Sequence, residues 1–587
     1  MTTPVSQSST PPVAAEPGQL SHRKILTIFS GLMLGMFLAA LDQTIVSTSI
    51  RTIADDLHGL NEQAWTTTAY LITSTITTPL YGKLSDLYGR KPFFLTAISV
   101  FIAGSVMCTF ATSMIELAAF RAFQGLGAGG LMSLALAIIA DIVSPRERAR
   151  YQGYILSVFG ISSVAGPLVG GFLAGRSSIL GIVGWRWVFL VNVPIGLVAL
   201  VVVAKVLDIP HRRREHRIDW WGAVTITLGV VPLLLVAEQG QSWGWGSARA
   251  LACFVVGTAG CVAWVFVERA MGDDALVPIR LFHNTVFSRT SLLSAMVGMV
   301  MFGGMLMIPQ YLQIVKGASP TKSGLLMLPL MLGLMTGSIA TGQTTSRTGR
   351  YKIFPVIGTG VITVALLLFY WKLQWDTALP ETMALMALFG AGLGFTMQPL
   401  MLSMQNTVPP RDMGTATAGA TFFRQLGGTA GTAIFLSVLF STVSDKIAAA
   451  FDRARTHADF QAALAAHPNA VSPDSARTVV SDSSVIKHLD PVLAAPFKQG
   501  FADSMHLVFL IAAMLGALCF ALMLTIREVP LRRLSGIEAA AAEAAESGTE
   551  AGGTGTEAAE PGEEAAGSGE ESLGSGKEAA GSGRPGK

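Results

Sequence analysis

The chain has 587 residues, of which 51% are hydrophobic and 13% charged, with a formal net charge of +3. Soluble domains carry roughly 25% charged residues, so this composition excludes a soluble globular protein and points to an all-α integral membrane protein. Cys108, Cys253, Cys261 and Cys519 fall inside apolar segments without a CxxC pair or a His cluster, which argues against a disulfide framework or a metal site.

Residues 1–22 are rich in Ser, Thr and Pro and lack a charged start followed directly by an apolar core, so the first apolar helix is expected to persist in the mature protein. A spanning helix needs about 20 mostly apolar residues. Fourteen such windows follow, beginning near Ile25, Gln63, Phe93, Ile115, Tyr151, Arg186, Trp220, Ala250, Thr290, Lys322, Ile353, Thr382, Gly414 and Phe501. Basic residues recur at every other connection: Lys83, Arg90 and Lys91; Arg146, Arg148 and Arg150; Lys205 and Arg212 to Arg217; Arg347, Arg350 and Lys352; Arg411. Positive charge is retained on the cytoplasmic side, and an even helix count then places both termini in the cytoplasm.

The organisation expected is a disordered N-terminus (1–22), a six-helix bundle (23–207), two inserted helices (208–270), a second six-helix bundle (271–530) containing a long external loop (443–500), and a tail (531–587). The tail is rich in Ala, Glu, Gly and Ser and cannot bury a core.

Sliding the chain against itself by 265 residues places Gly125, Gly127, Gly129, Pro145, Arg146 and Gly166 on Gly390, Gly392, Gly394, Pro410, Arg411 and Gly431. Parallel halves of this kind are a transporter architecture, with substrate bound between them. The charges differ between the copies. Arg121 falls on Met386 and Asp141 on Asn406, and at a nearby shift of about 260 Asp86 falls on Ser346 and Asp42 against Met301 and Phe302, so charge handling is assigned to the first half.

Four stretches stand out. LDQTIVSTSI (41–50) carries Asp42, the one carboxylate of its apolar helix, and an intramembrane carboxylate is costly enough to imply a function. GKLSDLYGRKP (82–92) joins tight-turning Gly82 and Gly89 to Asp86 and Arg90; Asp86 facing a helix N-terminus would latch the halves together. AFRAFQGLGAGG (119–130) contains a formal GxGxxG, but within an apolar helix, where glycines serve close packing; Arg121 is its buried charge. GISSVAGPLVGG (160–171) puts Pro167 among Gly160, Gly166, Gly170 and Gly171, a kinked helix that neighbours can approach. No phosphate loop or metal pattern accompanies them, and neither an enzyme activity, a cofactor nor a nucleic-acid partner is expected.

With WTTTAYLIT (65–73) and RQLGGTAG (424–431), these stretches resemble the major facilitator superfamily, in particular the fourteen-helix drug:proton antiporter family, over about residues 22–530. The resemblance implies two six-helix bundles plus two inserted helices in the plasma membrane, acting as a monomer. It also implies export of lipophilic drugs or antibiotics in exchange for protons by alternating access. Asp42 and Arg121 would couple the proton; Gly82, Asp86, Gly89 and Arg90 would form the latch; Trp65, Tyr70, Gln124 and Gln310 would line the substrate cavity. The family usually has a proline where this chain has Arg51. Export of a lipid or envelope metabolite, and a sensor or scaffold that kept the fold, remain open beside it.

Overall fold

The computed structural model describes residues 22–58, 63–208, 219–409, 412–466, 486 and 489–531. The expected features at Arg212 to Arg217 and Arg411, much of the 443–500 segment, and both termini lie outside them. Apolar runs become helices because a backbone surrounded by lipid must satisfy its own N–H and C=O groups.

In chain order the long helices are α1 (His22–Asp56), α2 (Gln63–Tyr88), α3 (Arg90–Thr109), α4 (Met114–Ile142), α5 (Pro145–Ala174), α6 (Asn192–Val206), α7 (Trp220–Trp243) and α8 (Ala248–Met271). The second half contains α9 (Thr285–Gln310), α10 (Leu328–Thr348), α11 (Ile353–Lys372), α12 (Leu379–Asn406), α13 (Met413–Ala454) and α14 (Pro491–Leu524). Side-chain caps set several starts, among them Ser113 accepting from Glu116 N and Asn284 from Val286 N.

Among the described residues, thirteen helical segments are long and apolar enough to cross a membrane. The exception is α2, at 26 residues long enough but rich in Thr and Ser. Its hydroxyls donate back to the helix, as in Thr77 to Thr73 O and Thr78 to Ser74 O (2.9 Å each), which satisfies them without water.

The expected 443–500 loop is mostly helix where it is described. α13 continues through Ala454, Ala458–Ala466 forms a short helix, and α14 starts at Pro491, ten residues before the expected Phe501. Phe451 stacks edge-on against Phe460 and Phe497, so the extensions bury an aromatic cluster of their own.

The apolar core follows the two halves. One cluster is built from residues between Ile28 and Leu207, another from residues between Val300 and Ala513. The inserted α8 packs on α7 and turns Leu251, Val255, Val262 and Phe266 outward.

The repeated glycines make the same contacts in both halves. A side chain at Gly125 or Gly129 would strike α2 (Tyr70, Ser74), and one at Gly127 would strike α3 (Phe101). At Gly390 or Gly394 it would strike α10 (Leu330, Leu334), and at Gly392, α11 (Ile362). Gly166 lies on Thr44 of α1 as Gly431 lies on Met299 of α9. Each half therefore brings its fourth helix against its second and third at backbone distance.

Replacing Gly125 with Val should cost about 1–3 kcal/mol, because the contacted atoms include backbone that cannot yield. Gly171→Ala, where nothing lies within 4 Å, should stay within about 0.5 kcal/mol. Thermal unfolding of the purified variants in detergent measures both, and equal stabilities would contradict the close-approach assignment.

Candidate functional site

Asp42 is fully buried, at 0% exposure, with Arg121 at 1%. Arg121 Nη1 donates to Asp42 Oδ2 at 2.6 Å and to Gln124 Oε1 at 2.6 Å. The other carboxylate oxygen, Oδ1, accepts from Gln124 Nε2 (3.0 Å) and Asn192 Nδ2 (2.7 Å). Ser105 Oγ in turn accepts from Gln124 Nε2 at 2.7 Å, and the Tyr70 ring lies 4.0 Å from the Arg121 guanidinium carbon. Five helices, α1, α2, α3, α4 and α6, thus converge on one carboxylate.

Burying an ion is costly unless its lone pairs are met, and here both oxygens of Asp42 are. The arrangement also decides where the carboxylate points. Its position 17 residues beyond Ile25 along α1 suggests the outward end of a central cavity, in reach of protons from outside. The partners on α4 and α6 instead hold Asp42 inside the first bundle, away from solvent in this conformation. Snorkelling of Arg121 to the surface is excluded by the same geometry.

A second cluster joins the halves. Asp86 Oδ2 accepts from the backbone N of Thr415 (2.8 Å) and from Thr415 Oγ1 (3.1 Å), in the first turn of α13. A carboxylate there satisfies free N–H groups and complements the helix dipole. Arg90 fixes Asp86 at 2.6 Å, and also bonds Asp141 Oδ2 of α4 (2.7 Å) and Ser85 Oγ (2.6 Å). Gly89, at φ 100°, makes the turn that places Arg90. A side chain at Gly82 would collide with Ala418 of α13, so this glycine lets the two halves touch. On the same helix start, Arg280 Nη2 donates to both oxygens of Asp412, at 3.0 and 3.1 Å.

The glycines of α5 divide by role. Gly166 and Gly170 admit α1 through Thr44 and Ile45, Gly160 faces Met335 of α10, and Pro167 lies against Gly324 of the second half. Nothing lies within 4 Å of the Gly171 position. Tyr70 and Gln124, expected in a substrate cavity, belong to the Asp42 cluster. Trp65 and Gln310 are half-buried and join neither cluster.

Sequence reasoning missed Asn192 and Ser105. The available signal for the first was a lone amide in the apolar stretch VFLVNVPIGLV (188–198); for the second there was none beyond a hydroxyl in α3. It also treated Arg424 only as part of a family stretch and assigned all charge handling to the first half.

The Major Facilitator Superfamily sequence profile matches residues 32–432. The chain is 37% identical over 505 residues to an uncharacterized MFS-type transporter of Mycobacterium tuberculosis (strain H37Rv), covering 86% of this chain and 70% of that protein. It is 33% identical over 508 residues to the multidrug transporter protein MdtP of Bacillus subtilis (strain 168), covering 84% and 91%. Among solved structures, the proton:xylose symporter XylE matches with a TM-score of 0.54 at 16% identity, over 89% of this chain and 100% of that one. That likeness is one of fold.

The buried pair makes a quantitative prediction. Asp42→Ala alone leaves the Arg121 guanidinium uncompensated and should destabilise the protein by about 3–5 kcal/mol, whereas adding Arg121→Ala should recover a large part of the loss. A double-mutant cycle on thermal unfolding reads this directly, and additive effects would show that the two side chains do not interact.

Proposed function

The chain belongs to the major facilitator superfamily and is a multi-pass membrane transporter of small molecules, and on that premise we propose that it exports lipophilic drugs or antibiotics in exchange for protons, in the plasma membrane with both termini cytoplasmic. The observation that carries the proton reading is Asp42, a carboxylate with no exposure and with both oxygens hydrogen-bonded. The names of curated relatives, such as the multidrug transporter protein MdtP and multidrug resistance protein 3 of Bacillus subtilis, support the substrate class.

In this reading a proton arriving at Asp42 cancels the negative charge. The charge-assisted bond from Arg121 weakens to an ordinary one, and Gln124 and Asn192 lose the anion that oriented them. Because α1, α4 and α6 all meet at that carboxylate, its neutralisation loosens the first bundle where α1 meets α5. Gly166 and Gly170 let α5 shift against α1, and through Gly160 and Pro167 the shift reaches the second half. Loss of the proton restores the pair and resets the bundle.

The energetics suffice. One charge crossing 100 mV supplies about 2.3 kcal/mol, enough for roughly a fifty-fold gradient of a neutral substrate. Asp86 of α2, bonded to the first turn of α13, would hold the basic end closed during the other half of the cycle.

Two outcomes test this. In proteoliposomes, Asp42→Asn, assayed on protein shown by thermal unfolding to remain folded, should abolish proton movement induced by substrate, and undiminished proton flux would remove Asp42 from the coupling. Asp86→Ala removes a helix cap worth about 1 kcal/mol, roughly a five-fold change in a two-state balance. The labelling rate of a cysteine placed at Ala418, in a background without native cysteines, should rise several-fold; an unchanged rate would mean that Asp86 does not hold the halves together.

A further inference from the structure

Arg424 lies in α13, 11 residues beyond Met413, or about 17 Å from the helix start at 1.5 Å per residue. That is membrane depth. Its guanidinium has no hydrogen bond or ion pair among the described residues. The side chain lines a small cavity between α9, α12 and α13, together with Ser294, Val297, Met397, Leu400, Met401 and Ala420.

A guanidinium stays charged at any ambient pH, and an unpaired charge among apolar side chains is costly. Arg121 and Arg90, two buried arginines of the first half, each have carboxylate partners. Among the described residues no carboxylate forms an ion pair with Arg424. Helices α9, α10 and α11 contain no Asp or Glu, and the sole carboxylate of α12, Glu381, stands beside Lys372 near that helix's start. Asp412, just ahead of α13, is 12 residues away and held by Arg280. Asp42, Asp86 and Asp141 of the first half are all engaged. For any of these to reach Arg424, another buried cation would have to be left alone.

We infer that the missing counter-charge is supplied by the cargo: Arg424 is a subsite for the acidic group of a lipophilic organic anion, a carboxylate or sulfonate. This deepens the transport reading and rests on it. The surrounding side chains suit such a cargo, because Met397 and Met401 are unbranched and adaptable and present an apolar wall beside the charge. In this conformation the cavity measures about 10 Å³, which holds no substrate. The acidic group of a cargo therefore enters only in a conformation in which this cavity is wider. Each half then has its own charged centre, with Asp42 serving the proton and Arg424 the anion.

The test uses the full chain in proteoliposomes under a fixed proton gradient, with carboxyfluorescein as the anionic probe and ethidium and a neutral dye as comparators. Arg424→Gln should lower carboxyfluorescein transport about ten-fold or more, the loss expected when one partner of a desolvated charge pair is removed. Arg424→Lys, which keeps the charge but not the planar fork, should be intermediate, and ethidium and neutral-dye rates should change less than two-fold in both variants. Thermal unfolding of each variant separates a binding defect from a folding one, with Arg424→Lys carrying the comparison if Arg424→Gln does not fold. Equal loss of all three dyes in a folded variant, or unaltered carboxyfluorescein transport, would overturn the subsite. Ethidium flux in the parent protein without carboxyfluorescein flux would also sink it while leaving proton-driven export standing; no proton-coupled flux of any probe would sink the export reading itself.

Discussion

A charge held away from water must be paired, and much of this molecule can be read from how it meets that constraint. Asp42 is matched by Arg121 on one oxygen and by two amides on the other, drawn from α4 and α6. The pairing dictates the order of the first bundle: α1 cannot slide or turn relative to α4 and α6 without stripping a bond from the carboxylate. The same bonds depend on the negative charge, so the strength of the contact follows the charge state of that carboxylate. Stability and responsiveness thus come from one contact rather than from two competing ones.

Close approach of backbones is the second constraint. Without a hydrophobic drive between helices in lipid, packing rests on small residues that let helices touch. The alternation of Gly125, Gly127 and Gly129, facing α2, α3 and α2 again, and its recurrence at Gly390, Gly392 and Gly394, is a helix fitted between two neighbours in each half. The halves share this scaffold and differ in the chemistry placed on it. Met386 occupies the position equivalent to Arg121, inside an entirely apolar cluster.

Much of this is legible in the sequence. Helix number and order follow from apolar runs, the repeat from its glycines, and Asp42, Arg121, Asp86 and Arg90 from the rarity of charge in such segments. What escapes has physical reasons. Asn192 and Ser105 are single polar side chains in apolar helices, and no local pattern says that the first meets a carboxylate 150 residues away or that the second meets the Gln124 amide. The direction in which Asp42 points is set by partners on other helices, so counting residues along α1 gives a depth but not an exposure. The α13 and α14 extensions look like loop because charged residues such as Asp445, Lys446 and Arg453 interrupt the apolar run, whereas their buried faces carry Ile447, Phe451 and Phe497. Arg424 is hidden by its setting, a conspicuous glycine stretch that draws attention to packing.

The inserted helix α7 rests on both sides of the seam. Its Ile226, Val230 and Leu234 pack with Ile72 and Ile76 of α2 and with Phe422 of α13, one helix from each half. Those are also the two helices joined by Asp86 and Thr415. Any relative movement of the halves would have to shear this apolar contact, which α7, with lipid-facing α8 on its back, spans. The extra pair thus adds apolar contact across the seam between the halves and presents a further apolar face to the bilayer at that seam.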